Sequence, residues 1–309
     1  MALVVFMQLV TMFILLLMGV VLFKKGMISE VQSKGLSIFL TKIAVPCNII
    51  VLMQREYSYD ISIAFIKTAG VTFLICSVAS LLFFLVGKCM GMDMRSLGLF
   101  SGAGAYSNVI FMGQPLILAM YGADGLIYCV SIMFTCNVYL FLVCSSLFAF
   151  GGEYKKPAKL MLKDAFINLV CFSSVIGFGF FMLSIELPTP IYDALNYAAI
   201  TTVAISMVYI GSLLAMANIK EVFKDKQVYV FSFLTLLIVP IITKFVASFF
   251  LDGLALNVIV VLMGTPAAAA TPSFADVYGN DAKRASEFVF VSTLLSMATL
   301  PLVAQFLCT

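Results

Sequence analysis

Met112-Gly113-Gln114-Pro115 stands inside a long apolar run and recurs as Met263-Gly264-Thr265-Pro266, 151 residues later. Tyr121-Gly122-Ala123-Asp124 likewise recurs as Tyr278-Gly279-Asn280-Asp281, 157 residues later. The offsets differ by six, so the second run holds about six extra residues after its proline. A proline inside a helix has no N–H and clashes with the carbonyl four residues back, which loses its partner. In lipid that carbonyl must be satisfied elsewhere, so such a break is packed in protein or lines a wet cavity. The two motifs are read as paired breaks in membrane-spanning helices, one in each half of the chain.

The composition around them agrees. The chain has 309 residues, is 63% hydrophobic and 11% charged, and has a mean hydropathy of +1.13. Soluble domains carry about 25% charged residues, so the solvent for most of this chain is lipid. The net charge of +3 is loop charge rather than a nucleic-acid surface, and no nucleic-acid partner is expected. There is no histidine, which excludes imidazole metal ligation, histidine acid/base catalysis and histidine proton relays. The eight cysteines fall mostly in apolar runs with no CxxC pair and read as packing residues. No clustered Asp/Glu, Cys/His or Ser/Lys group suggests an enzyme, and no cofactor is expected. The apolar start precedes Lys24 and Lys25, the reverse of a cleavable signal peptide, so a retained first span is expected.

With about 20 apolar residues needed per span, ten spans are predicted. They lie at 3 to 23, 33 to 53, 61 to 87, 97 to 121, 125 to 149, 164 to 184, 190 to 217, 228 to 250, 254 to 278 and 284 to 307. Fourteen Lys and Arg fall in the loops after odd-numbered spans or at the span ends bordering them, and Arg55 alone in the others, which puts both termini outside the cytoplasm. Five spans per half is odd, so a shared fold requires the second half to be inverted. The expected organisation is an all-α membrane protein with a first five-helix repeat at 1–150, a cytoplasmic link at 151–163 and a second, inverted repeat at 164–309. Inverted repeats with interrupted helices point to a transporter's midplane site.

The amides that begin each second half-helix lack partners and carry partial positive charge, which suits an anion. The candidate site is therefore built from Gly113, Gln114 and Pro115 of span 4 and Gly264, Thr265 and Pro266 of span 9, with Asn108 supplying a neutral donor. Pro46 makes a third irregular site in span 2, bringing in Asn48 and Lys42; the Lys42 amine either serves the site or snorkels to the interface. Asn137 in span 5 either faces the cavity or joins helices. Asp276 is a candidate for a proton or ion site or a surface residue. Lys67 and Lys244 read as snorkelling, and Glu287 as an ordinary helix-surface partner of Lys283 and Arg284.

Asn108 through Leu116, followed by Ala119-Met120-Tyr121-Gly122, resembles the auxin efflux carrier family. Ile43-Ala44-Val45-Pro46, Ile210-Gly211-Ser212-Leu213, Pro266 through Tyr278, Ser292-Thr293 and Leu300-Pro301 are similar to its other landmarks. The resemblance implies the ten-helix inverted-repeat fold shared with bile acid/sodium symporters, with spans 4 and 9 crossing at the site and an elevator-like motion against a scaffold. Plant members export an indole carboxylate, and bacterial members include carriers of malonate and malate. By position, Asn108 matches the family asparagine before the crossing, and Pro115 and Pro266 the crossing prolines. The chain lacks the long central loop of plant members, and Gln114 stands where many relatives carry an aliphatic residue. The expected function is secondary transport of a mono- or dicarboxylate across the cytoplasmic membrane, with an anion channel as the alternative. The partners are that anion and the bilayer, and a homodimer is left open.

Overall fold

The computed structural model describes residues 2–150, 168–216 and 225–308. The predicted link at 151–163 and the loop lysines Lys220 and Lys224 lie outside the described residues. Among those described the chain is helical throughout and has no strand beyond one antiparallel bridge, Ser107 with Ala267. Seven helical stretches are long and apolar enough to cross a membrane: Ala2–Lys24, Glu30–Leu52, Tyr59–Cys89, Val109–Phe148, Thr189–Met216, Lys226–Ala247 and Ala282–Leu307. Leu169–Met182 and Gly253–Met263 are shorter apolar helices. At 40 residues Val109–Phe148 would be about 60 Å long, twice a hydrocarbon core of about 30 Å. It is interrupted at Gly122, whose φ of 63° and ψ of −153° lie in a region open only to glycine.

The prolines expected to break helices are mostly absorbed instead. π-helical segments at Leu40–Ala44, Val109–Gly113 and Leu234–Ile238 each come just before a proline, Pro46, Pro115 and Pro240. In each, the amide preceding the proline bonds five residues back: Val45 to the Leu40 carbonyl, Gln114 to Val109 and Val239 to Leu234. The extra residue moves the obstructed carbonyl away from the ring, so the helix continues. Pro115 therefore does not break its helix, a correction to the sequence expectation.

Two packed groups of helices form the interior. In one, Ala2–Lys24 lies against Thr189–Met216, and Glu30–Leu52 and Leu169–Met182 complete the layer. Glycine sets their closest approach, since a Cβ on Gly19 would sit 2.3 Å from the Val208 carbonyl oxygen and one on Gly211 2.0 Å from that of Leu16. Ser33 and Ser212 hydroxyls meet at 2.6 Å in the same layer. The other group holds Tyr59–Cys89, Met94–Gly104, Val109–Phe148 and the helices from 226 onward around four buried rings. Phe231 stacks on Phe288 at 4.3 Å, and Phe83 and Phe100 pack on Phe231 at 5.3 and 5.6 Å. At one end of this group Arg284 bonds Asp225, Gln227 and Glu287, which makes Glu287 a buried member of an ion network rather than a surface residue.

Candidate functional site

Met94–Gly104 and Gly253–Met263 are each eleven residues long, and the chain after each is irregular. Both irregular segments, 105–108 and 264–270, are buried in protein apart from the half-buried Ala270, so their polar backbone must find partners there. Some groups bond back to the preceding helix turn, and two bonds join the segments to each other. The Asn108 amide donates to the Pro266 carbonyl at 2.7 Å, and the Ala268 amide donates to the Tyr106 carbonyl at 2.9 Å. The Ser107 hydroxyl reaches the Met263 carbonyl at 3.5 Å, and the Ala267 amide donates to the Ser292 hydroxyl at 3.2 Å. The run Ala267 to Ala270 supplies only small side chains, which lets the two backbones approach.

A cavity of about 80 Å³ opens beside this crossing. A single water needs about 10–15 Å³ on that measure, so several waters or a small anion fit. Tyr106, Ser107, Asn108 and the first turn of Val109–Gly113 form one wall; Ala268, Ala269, Ala270 and Phe274 form another; Thr41, Met133, Cys136, Asn137, Asn168 and Val170 close it. Among the described lining residues none is acidic or basic.

Several donors there have no acceptor among the described residues. The Asn108 side chain is 3% exposed; its Oδ1 accepts the Phe111 amide at 3.3 Å, which caps the helix and fixes the orientation of the amide group. Its Nδ2 is then buried without a partner. The amides of Ala269 and Ala270, both in irregular chain, also donate to no acceptor among the described residues. A buried donor such as Asn108 Nδ2 left unpaired costs about 1–3 kcal/mol, and unpaired donors gathered around one small cavity at the start of a long helix suit negative charge.

Of the residues singled out in the sequence, Asn108 and Asn137 line this cavity. The Asn137 amide nitrogen is committed to the Met133 carbonyl at 2.8 Å. Asn48 and Gln114 are buried but bind each other, Asn48 Nδ2 donating to Gln114 Oε1 at 2.9 Å. Gly113 is a packing position, where a Cβ would meet Leu262 at 2.3 Å, and Gly264 packs beside Pro240. The Thr265 hydroxyl donates to the Leu262 carbonyl at 2.6 Å, and Pro266 contributes its carbonyl to the crossing. Lys42 is exposed and does not line the cavity. Asp276 is exposed in a polar groove with Arg95, Asn280 and Arg284. Sequence reasoning passed over Thr41, Tyr106, Ser107, Asn168 and the alanine run; the alanines directly after Pro266 were the available signal.

A membrane transport protein family model matches residues 4–304, nearly the whole chain. The chain belongs to that family. This bears out the resemblance to auxin efflux carriers. An uncharacterized transporter of Methanocaldococcus jannaschii is 28% identical over 307 residues, covering 95% of this chain and 96% of the relative. A Rhizobium meliloti protein named "Putative malonate transporter" is 26% identical over 272 residues, covering 85% of this chain and 83% of its own. An uncharacterized transporter of Methanothermobacter thermautotrophicus is 25% identical over 299 residues, with 94% of each covered. The family and these relatives are transporters and not enzymes, and this chain is a multi-pass membrane transporter.

Proposed function

We propose that the chain is a secondary transporter of a small carboxylate, malonate- or malate-like, which binds at the crossing of residues 105–108 and 264–270 and is carried by alternating access. The unpartnered Asn108 Nδ2, near the amides of Ala269 and Ala270 that have no acceptor among the described residues, beside a cavity of about 80 Å³, carries the reading. Neutral donors bind a carboxylate without burying a lysine or arginine, which avoids the desolvation cost of that charge. The name of the Rhizobium meliloti relative supports the same substrate class.

The fold behind it is two inverted repeats of five spans in a cytoplasmic membrane, with both termini outside. Supporting this, the eleven-residue helices begin at residues 94 and 253, 159 apart. That offset is near the 157 of the Tyr-Gly pair and away from the 151 of the Met-Gly-x-Pro pair. The equivalent breaks are then 105–108 and 264–267, and Met-Gly-x-Pro marks the break in the second half but the helix after the break in the first. The two packed helix groups are natural rigid bodies for an elevator-like motion. Uptake of radiolabelled malonate into proteoliposomes, competed by unlabelled short carboxylates, tests the reading. Saturable, competable uptake is expected; flux that never saturates would instead make the protein a channel.

A further inference from the structure

Two open grooves adjoin on the surface, about 480 and 460 Å³ in volume, sharing Lys67 and Phe250. One helix stripe builds both. Asp60, Ala64, Lys67, Gly70, Val71 and Leu74 recur every three or four residues along Tyr59–Cys89 and so lie on one face. The stripe is polar at its start and apolar beyond. Around Asp60 the groove is completed by Tyr128 and Asp252; around Gly70 it is walled by Phe249 and Phe250, 69% and 56% exposed. Gly70 keeps the apolar groove open, with nothing within 4 Å of where its Cβ would stand.

The charges in this place are uncommitted. Asp252 begins a helix without bonding its first amides. In the structure neither an ion pair nor a hydrogen bond joins Lys67 to Asp60 or Asp252. Lys67 lies two helical turns, about 10 Å, from Asp60, and Leu74 about 10 Å further on, within the roughly 15 Å of one leaflet's hydrocarbon.

We propose that this double groove binds one phospholipid with an ethanolamine headgroup. The phosphate sits at Lys67, the ammonium lies between the Asp60 and Asp252 carboxylates, and an acyl chain runs past Gly70 between Leu74 and Phe249. A single cation between two carboxylates matches a zwitterion that carries both signs. A headgroup with net negative charge meets two repelling carboxylates, and one with a bulky trimethylammonium cannot donate hydrogen bonds to them.

The test is native mass spectrometry of the full chain released from vesicles holding phosphatidylethanolamine, phosphatidylglycerol and phosphatidylcholine in equal parts. Retained phosphatidylethanolamine should exceed each of the others by about threefold or more, the scale of exposed charge contacts. Gly70→Leu, on an exposed face where leucine favours the helix, should abolish retention by filling the groove. Lys67→Gln should weaken it for phosphatidylethanolamine and phosphatidylglycerol alike. Asp60→Asn with Asp252→Asn should keep a bound lipid and shift the preference to phosphatidylglycerol. Wild-type protein that retains phosphatidylglycerol or phosphatidylcholine as well as phosphatidylethanolamine would overturn the headgroup assignment. Unchanged retention in Gly70→Leu would overturn the site.

Discussion

Asn108 does two things with one side chain: Oδ1 caps the helix that begins at Val109, and Nδ2 is buried beside the cavity without a partner. Asn108→Ser separates them. Serine caps a helix about as well as asparagine, but its shorter side chain withdraws the donor from the cavity. A hydrogen bond to a charged group is worth about 1.5–3 kcal/mol, so the dissociation constant for malonate should rise by about 10- to 150-fold. Stability should move the other way or not at all. The unliganded protein buries an unpaired donor that costs about 1–3 kcal/mol when no water reaches it, and the substitution removes that cost. The signature is a variant that loses affinity without losing its thermal midpoint. Asn108→Ala loses the cap as well, about 1 kcal/mol, and should melt below Asn108→Ser while binding no better. Isothermal titration and thermal unfolding of purified protein read both quantities. A serine variant that binds malonate like the wild type would remove Asn108 from the site, and one that both unfolds early and binds weakly would reduce its role to capping.

Four further outcomes follow from the packing and the charge pattern. Asn48→Leu or Gln114→Leu alone strands a buried partner at a cost of about 1–3 kcal/mol, whereas the double leucine variant should recover much of it, giving a non-additive cycle in thermal unfolding. Gly211→Leu drives a side chain into the Leu16 carbonyl, 2.0 Å from the ideal Cβ, and should abolish the monodisperse peak in size-exclusion chromatography, while Gly179→Ala, with open space around it, should not. Lys42→Gln should leave malonate affinity near the wild-type value, because Lys42 is exposed and away from the cavity. In a Cys89→Ser background, Glu56→Cys should react with an impermeant thiol reagent from outside the cell and Met27→Cys only after permeabilisation; the reverse pattern would invert the proposed orientation.

The membrane class, the all-helical fold and the family were legible because they rest on composition, apolar run length and a landmark pattern spread over the chain. The second break was legible too, since Gly264-Thr265-Pro266 ends Gly253–Met263 where the motif stands. The first was misplaced. Pro115 looked like a breaker, but a π-turn over Val109–Gly113 absorbs it, and the chain leaves the helix at Ala105 instead, in a stretch with no proline. One proline was thus treated as sufficient for a break, although a helix widened by one residue removes the clash that would cause it. Pairing of Asn48 with Gln114 was illegible because it joins residues 66 apart in sequence, and each alone reads as a site residue. Asn108 was singled out through the resemblance and its place before the motif; its unpartnered nitrogen is visible only in three dimensions.

Counterflow most directly tests the claim that the crossing binds and carries a small carboxylate. Proteoliposomes loaded with unlabelled malonate and diluted into a trace of radiolabelled malonate should accumulate label transiently above equilibrium with wild-type protein. Asn108→Asp keeps the cap but replaces the donor with a negative charge facing the anion, and should show no accumulation in equally stable, equally reconstituted protein. Full counterflow by Asn108→Asp, or wild-type flux of short carboxylates that neither saturates nor overshoots, would contradict the account.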